Sequence, residues 1–253
     1  MPRSLWWCSA LLLAVVSVAC SGKRNKAPPP LTARSWTVQL EAKGFQPASV
    51  ALPLGATAPR PVAVVLHGAA DRPEWQCGSF RGVLGGRVFI VCPAGVARPE
   101  LSPRLGLGNV DETANELRAL LAELKLRFGP YVAPSPILLI GFAEGATLAA
   151  ELARQEPSFF ARVALVGGDP TALSSTAAAI FAARGGKRML FFCTNPACHG
   201  DGVQRALLIS RRGLAAKSVQ HDVGPYLDDA FVGALRGDLS WLVEDDARWP
   251  KPR

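Results

Sequence analysis

The N-terminal apolar stretch of the sequence is too short for a membrane-spanning helix. It runs from Leu5 to Val18 after the cation Arg3, whereas a spanning helix needs about 20 apolar residues. A positively charged start followed by a short apolar run is instead typical of a secretory signal peptide. We therefore expect residues 1–19 to be a leader that is removed on export.

The sequence also lacks a basic cluster, although its formal net charge is +8. The basic residues are scattered and form only small pairs such as Lys187-Arg188 and Arg211-Arg212, with no aromatic residues between them. Nucleic-acid-binding proteins concentrate such residues on one face or stripe. This distribution, together with export, predicts no nucleic-acid partner.

A second metal-ligand pair is missing as well. Cys193 and Cys198-His199 could be read as metal ligands, but structural zinc sites need two ligand pairs at short spacings. We therefore expect no metal and no other cofactor.

The cysteines favour disulfides. Of six cysteines, Cys8 lies in the leader and Cys20 follows it, which leaves an even number for the folded part. Exported proteins use such sets for disulfide bonds. Sequence alone does not fix the connectivity, and the local pairings are Cys77 with Cys92 and Cys193 with Cys198.

The end of the leader resembles a bacterial lipobox. Val18-Ala19-Cys20 is followed by Ser21-Gly22, and in lipoproteins the cysteine becomes lipid-modified and N-terminal after cleavage. Ser17 departs from the usual leucine and leaves ordinary signal-peptidase cleavage as the alternative. The resemblance implies a bacterial cell-envelope protein, periplasmic or outer-membrane-associated, whose membrane contact is a lipid on Cys20.

Residues 20–34 are expected to form a tether between this anchor and the domain. They are rich in Lys and Arg and contain Pro28-Pro29-Pro30, a composition typical of extended linkers. The positive charge could rest on anionic lipid, and a solvated linker is the simpler alternative.

Residues 35–253 are expected to form one α/β domain, since neither an internal repeat nor a second domain is visible. Asp111 to Phe128 has a helical leucine stripe, an N-terminal cap at Asn109 and a stop at Gly129-Pro130. Apolar runs alternate with such helical segments, which predicts a mainly parallel sheet of about eight strands with helices on both faces. The strand candidates are Trp36–Glu41, Ala48–Leu54, Val62–Leu66, Val88–Cys92, Ile137–Ile140, Val163–Val166, Met189–Phe192 and Lys217–Val223.

The segment Gly141-Phe142-Ala143-Glu144-Gly145 matches the frame Gly-x-Ser-x-Gly with alanine at its centre. In that frame a strained strand-to-helix turn presents a nucleophilic serine. A buried-strand run precedes the segment and a helix-forming run follows it, as the motif requires. An ordinary strand-to-helix turn of another α/β fold is the alternative. A methyl group cannot attack a carbonyl, so covalent catalysis through Ala143 is excluded.

With this segment and His67-Gly68 after the third strand, the chain resembles the α/β-hydrolase superfamily, in particular its esterase and dienelactone-hydrolase-like members. The resemblance implies a three-layer fold. It also implies an oxyanion hole, in vestigial form, from backbone N–H groups of the stretch His67, Gly68, Ala69 and of Glu144.

The resemblance implies an acid and a histidine as well. Asp201 and Asp169 are the candidate acids, and the loop after the last strand should hold the histidine. That loop, from Asp222 onward, contains none. His221 lies just upstream, and we expect it in the strand as a structural residue rather than a base.

Two losses together predict a natural pseudoenzyme rather than a single inactivating change. The function expected is that of a non-catalytic envelope lipoprotein, acting as a ligand-binding or interaction module. A carboxylic-ester hydrolase with non-standard catalytic residues, for which the Glu144 carboxylate is available, is the alternative. A purely structural lipoprotein with a filled pocket is a third possibility.

Overall fold

The computed structural model describes residues 27–69, 71–97, 105–224 and 226–249. The predicted leader and the lipidation site at Cys20 lie outside the described residues, as does the tether before Ala27. Within the described residues, no helix is long and apolar enough to cross a membrane.

Eight strands form one sheet in the order β1-β2-β4-β3-β7-β8-β9-β10. The first two strands pair antiparallel at one edge, and β3, β4 and β7 to β10 run parallel. A separate ribbon of two short strands, β5 and β6, was not predicted. The strands are β1 (Thr37–Leu40), β2 (Ala48–Ala51), β3 (Val62–Leu66), β4 (Phe89–Cys92), β5 (Val96–Ala97), β6 (Leu105–Gly106), β7 (Leu138–Phe142), β8 (Arg162–Val166), β9 (Arg188–Cys193) and β10 (Ala215–Gln220).

Within the described part of the chain, six α-helices cover the two faces of the sheet. The first and last pack on one face through residues such as Phe80 and Phe231, and the other four pack on the opposite face. The predicted three-layer arrangement is confirmed. The helices are α1 (Pro73–Leu84), α2 (Val110–Phe128), α3 (Glu144–Gln155), α4 (Ser175–Ala183), α5 (Pro196–Ser210) and α6 (Asp229–Val243).

The structure confirms that local sequence chemistry sets the bounds of α2. The Asn109 side chain accepts from the backbone N–H groups of Asp111 and Glu112, and the Glu112 carboxylate accepts from the Asn109 N–H. This reciprocal capping box satisfies donors that have no partner inside the helix. At the other end Gly129 begins a short 3-10 turn.

Two disulfide bonds tie helices to the ends of parallel strands. Cys77 of α1 is bonded to Cys92, the last residue of β4, and Cys193, the last residue of β9, is bonded to Cys198 in α5. Both are the local pairings expected from the sequence. Helices α1 and α5 both begin at the carboxyl-terminal ends of the parallel strands, as does α3 after β7.

Candidate functional site

The turn between β7 and α3 has the backbone of a strained nucleophile elbow. Ala143 lies there at φ 50° and ψ −117°, and it is the one non-glycine residue with positive φ in the described part of the chain. Such conformations cost about 1–3 kcal/mol and persist only where the surroundings enforce them. The turn therefore has the geometry of a nucleophile elbow with a methyl group at its tip.

Two glycines, one on each side of Ala143, allow this close packing. A Cβ at Gly141 would lie 2.5 Å from the Cα of Ala146, and one at Gly145 would lie 2.7 Å from the carbonyl oxygen of His67. Real Cβ atoms do not approach other atoms so closely. The two outer positions of the sequence motif are therefore glycine because helix α3 packs directly on β7 and on the end of β3.

Hydrogen bonds fix the elbow from both sides. The Ala143 N–H donates to the carbonyl oxygen of Val166 in β8 at 2.9 Å, and the Ala146 N–H donates to the carbonyl oxygen of Ala143 at 3.0 Å. A Cβ at Gly168 would lie 2.8 Å from that same oxygen. The end of β8 therefore supports the turn.

A cavity of about 260 Å³ lies beside the elbow. Glu144 is the first residue of α3, so its backbone N–H has no partner within the helix. That N–H, at the positive end of the helix dipole, is suited to an oxygen with partial negative charge. The cavity is lined by His67, Leu107, Gly108, Glu144, Thr147 and Leu148.

A larger cavity of about 350 Å³ lies between α1 and α6 and shares none of these residues. The smaller cavity is the one that reaches the elbow, through Glu144.

His67 closes one wall of that smaller cavity and is fully buried. Its Nδ1 lies 2.7 Å from the carbonyl oxygen of Gly68, and its Nε2 lies 3.2 Å from the carbonyl oxygen of Ala94. The ring therefore joins the loop after β3 to the loop after β4. The structure places Gly68, the middle residue of the predicted oxyanion stretch, next to Ala143, since a Cβ at Gly68 would lie 3.2 Å from the Ala143 Cβ.

The sequence interpretation missed Glu116, which lies behind this wall. Its carboxylate accepts from the backbone N–H groups of Ala94 and Gly95, each at 3.0 Å. Burial raises its pKa, and the two backbone hydrogen bonds and the charge of His67 partly oppose that shift. Glu116 falls on the inward stripe of α2 beside Leu117, and that helical spacing was the available signal.

His221 differs from its predicted position. Strand β10 ends at Gln220, so His221 is the first residue of the loop after the last strand rather than part of the strand. Its Nε2 lies 2.7 Å from the Oδ2 of Asp238 in α6, and its ring stacks on Phe192 with centroids 4.9 Å apart. The other carboxylate oxygen of Asp238 accepts from the Lys217 ammonium at 2.7 Å. The strand prediction for residues 221–223 was wrong because Val223 packs from a loop.

The two candidate acids take other positions. Asp169 caps a 3-10 turn by accepting from the N–H and the hydroxyl of Thr171, and these hydrogen bonds lower its pKa. Asp201 lies inside α5, where the sequence suggested a loop. The third histidine, His199, lies in the same helix with its Nδ1 3.0 Å from the hydroxyl of Ser218.

The side chains of the described residues form no cluster of three or more His, Cys, Asp or Glu that could hold a metal ion. The Cys193 sulfur, which the sequence offered as a possible ligand together with His199, is bonded to Cys198.

Comparison with known proteins gives the same fold. No protein-family model matches the sequence. The chain is 30% identical over 198 residues to the protein named "Putative esterase NocK" of Nocardia uniformis subsp. tsuyamanensis. The match covers 63% of this chain and 55% of that protein. The chain thus spans about half the length of this curated relative.

Solved structures resemble the chain over most of its length. The serine hydrolase FphF of Staphylococcus aureus superimposes with a TM-score of 0.61 at 12% identity, covering 83% of this chain and 98% of that one. An esterase of Rhizomucor miehei gives 0.62 at 13% identity, covering 89% and 87%. The S-formylglutathione hydrolase FrmB of Staphylococcus aureus gives 0.59 at 13% identity, covering 84% and 99%.

The strand order, the strained turn after β7 and these likenesses agree with one another. The chain therefore has the α/β-hydrolase fold.

Proposed function

We propose that this protein is a non-catalytic member of the superfamily that binds a ligand in the cavity beside the elbow. One observation carries the proposal: the elbow keeps its strained backbone while Ala143 supplies only a methyl group. Maintaining strain of about 1–3 kcal/mol without a nucleophile is reasonable if the shape of the turn still serves binding.

The positions of the histidines support the absence of the usual chemistry. The chain has three, and each ring has hydrogen-bond partners elsewhere: His67 with two backbone carbonyls, His199 with Ser218 and His221 with Asp238. A general base must reach the proton that it removes. To take a proton from a water molecule near Ala143, the His67 ring would have to release a backbone carbonyl, whereas the His221 ring would act through the nitrogen that does not face Asp238.

The cavity favours an acyl or ester group as ligand. Its wall combines apolar Leu107 and Leu148 with the N-terminus of α3, so an apolar chain and a carbonyl oxygen are both accommodated. The relatives named above are hydrolases and esterases, which makes the same ligand class reasonable by analogy.

The binding proposal is tested by saturation-transfer NMR with 4-nitrophenyl butyrate as the probe. We expect transfer from the protein to the intact ester, and we expect Thr147→Trp to abolish it because the indole would fill the cavity. Thr176→Trp is the matched control, since Thr176 is exposed in α4, away from the cavity. Equal transfer in the two variants would overturn the proposed location, and no transfer to the wild type would overturn binding of this class.

A working hydrolase with unorthodox residues is the second candidate, favoured by the His221–Asp238 pair. An oriented imidazole–carboxylate pair directly after the last strand is the arrangement that a base requires. If His221 can turn toward the elbow and act as a base on a water molecule, the wild type should hydrolyse 4-nitrophenyl acetate, and His221→Ala should lower that activity by at least about 10²-fold, the low end of base catalysis. Wild-type hydrolysis that is unchanged in His221→Ala would rule out this base.

We further propose that the chain is an envelope lipoprotein anchored through Cys20. The support is the lipobox-like sequence ending at Cys20 and the two disulfides, which suit an oxidising compartment. Mass spectrometry of the chain purified from membranes should show cleavage before Cys20 and an added diacylglyceryl group. An unmodified Cys20 would refute anchoring.

A further inference from the structure

The surface beside the end of the tether combines exposed tryptophans with arginines. Trp75 on α1 is 54% exposed, Trp36 is 36% exposed and Leu54 is 40% exposed. The Arg72 guanidinium lies 5.0 Å from the Trp75 ring centroid, and that of Arg81 lies 5.0 Å from the Trp36 centroid. We call these five residues the Trp–Arg face.

The members of this face are contiguous. Trp75 and Gly78 are three residues apart on α1 and therefore neighbours on its surface. A Cβ at Gly78 would lie 3.9 Å from the Trp36 ring, so the ring lies against the helix at this point. Arg81 also donates to the carbonyl oxygen of Leu52 at 3.1 Å, which joins the helix to the segment that carries Leu54.

The tether enters the domain at the same place. Leu31 exchanges backbone hydrogen bonds with Gly55 and Ala56, each at 2.8 Å, directly after Leu54. The Tyr131 hydroxyl donates to the carbonyl oxygen of Pro29 at 2.8 Å. The chain is therefore fixed to the domain from Pro29 onward.

The length of that linker limits the distance from the anchor. Eight residues lie between Cys20 and Pro29, and an extended chain covers at most about 3.6 Å per residue, or about 32 Å over these nine steps. A lipid on Cys20 would therefore hold the entry point of the tether close to the bilayer. This step rests on the lipid anchor proposed above.

We propose that the Trp–Arg face rests on the surface of an anionic bilayer and orients the anchored domain. Tryptophan is enriched at membrane interfaces because its ring is apolar with one polar N–H. Arginines attract anionic headgroups, and Lys23, Arg24 and Lys26 in the tether add charge of the same sign. The two acyl chains of the diacylglyceryl group would hold the domain at the bilayer, and contact through the Trp–Arg face would fix its orientation there.

The test uses the acylated full chain in vesicles of phosphatidylcholine and phosphatidylglycerol, with and without brominated acyl chains, which quench nearby tryptophans. After leader removal the chain has Trp36, Trp75, Trp241 and Trp249. Trp249 is buried and Trp241 is flanked by Arg188 and Lys217. We expect bromine-dependent quenching of the wild type and its loss in Trp36→Ala/Trp75→Ala.

Leu126→Ala is the matched control, because Leu126 is 79% exposed on α2, on the opposite face of the sheet. It should retain the wild-type quenching. Trp75→Ala alone removes the more exposed of the two tryptophans and should lose part of the quenching. This single variant replaces the double variant if the latter is unstable.

If the acylated wild-type protein shows no bromine-dependent quenching, the proposal is overturned, and a protein partner becomes the alternative occupant of the Trp–Arg face. Quenching that survives in the double variant would overturn it as well. A mass spectrum without acylation refutes the anchor itself and, with it, this inference.

Discussion

Replacing Ala143 by glycine should stabilise the protein, although glycine usually destabilises. The φ of 50° and ψ of −117° at Ala143 lie in a region that L-residues rarely adopt, and holding them there costs about 1–3 kcal/mol. Glycine removes that cost but loses about 0.5–1 kcal/mol through its greater freedom in the unfolded chain. The net change should be a stabilisation of about 1 kcal/mol.

For a domain of this size, that change corresponds to a rise in Tm of about 2–4 °C. Urea unfolding followed by circular dichroism, together with a thermal scan, measures both quantities. Ala149→Gly is the control: Ala149 is fully buried in the interior of α3, where glycine should cost about 1 kcal/mol or more. If Ala143→Gly destabilises the protein as much as Ala149→Gly does, the elbow is not strained and the reasoning fails.

Three further predictions concern packing, a disulfide and pH. Gly145→Ala should lower the free energy of unfolding by about 1–3 kcal/mol, because the added Cβ would overlap the backbone at the end of β3. Its control is Gly233→Ala on α6, where a Cβ meets open space; this variant should be neutral or stabilising when measured by urea unfolding. Replacing Cys77 and Cys92 by alanine should cost about 3 kcal/mol, since the bond closes a loop of 15 residues; an unchanged unfolding midpoint would contradict this. Burial raises the pKa of Glu116, so the folded state keeps that proton to higher pH than the unfolded state, and its contribution to the unfolding free energy declines as pH rises above about 4. The stability of the wild type relative to Glu116→Gln should therefore fall from pH 4 to pH 7, and a rise would refute the assignment.

The sequence predicted the fold well because its signals were local and strong. Buried parallel strands read as uninterrupted apolar runs, and the capping box at Asn109 and Glu112 marks the start of α2 without help from tertiary contacts. The elbow was recognisable for the same reason, since its glycines are required by packing that any sequence with this turn must satisfy.

The site was predictable only in part, since its remaining contacts join residues far apart in the chain. The end of β10 at Gln220 depends on its pairing with β9 rather than on the apolar Val223. The partnership of His221 with Asp238 spans 17 residues and two elements, and that of Glu116 with the loop after β4 spans about 20. No local sequence pattern encodes such contacts, so only the three-dimensional structure reveals them.

The most direct test of the central claim is the steady-state hydrolysis of 4-nitrophenyl acetate by the purified full chain. A site without a nucleophile retains at most the weak acceleration that backbone donors and binding provide. We predict a kcat/KM well below about 10⁴ M⁻¹ s⁻¹, the lower end of the range for enzymes, and the same value in Ala143→Gly. A kcat/KM within the enzyme range that is abolished by His221→Ala would contradict the account and identify the protein as a working hydrolase.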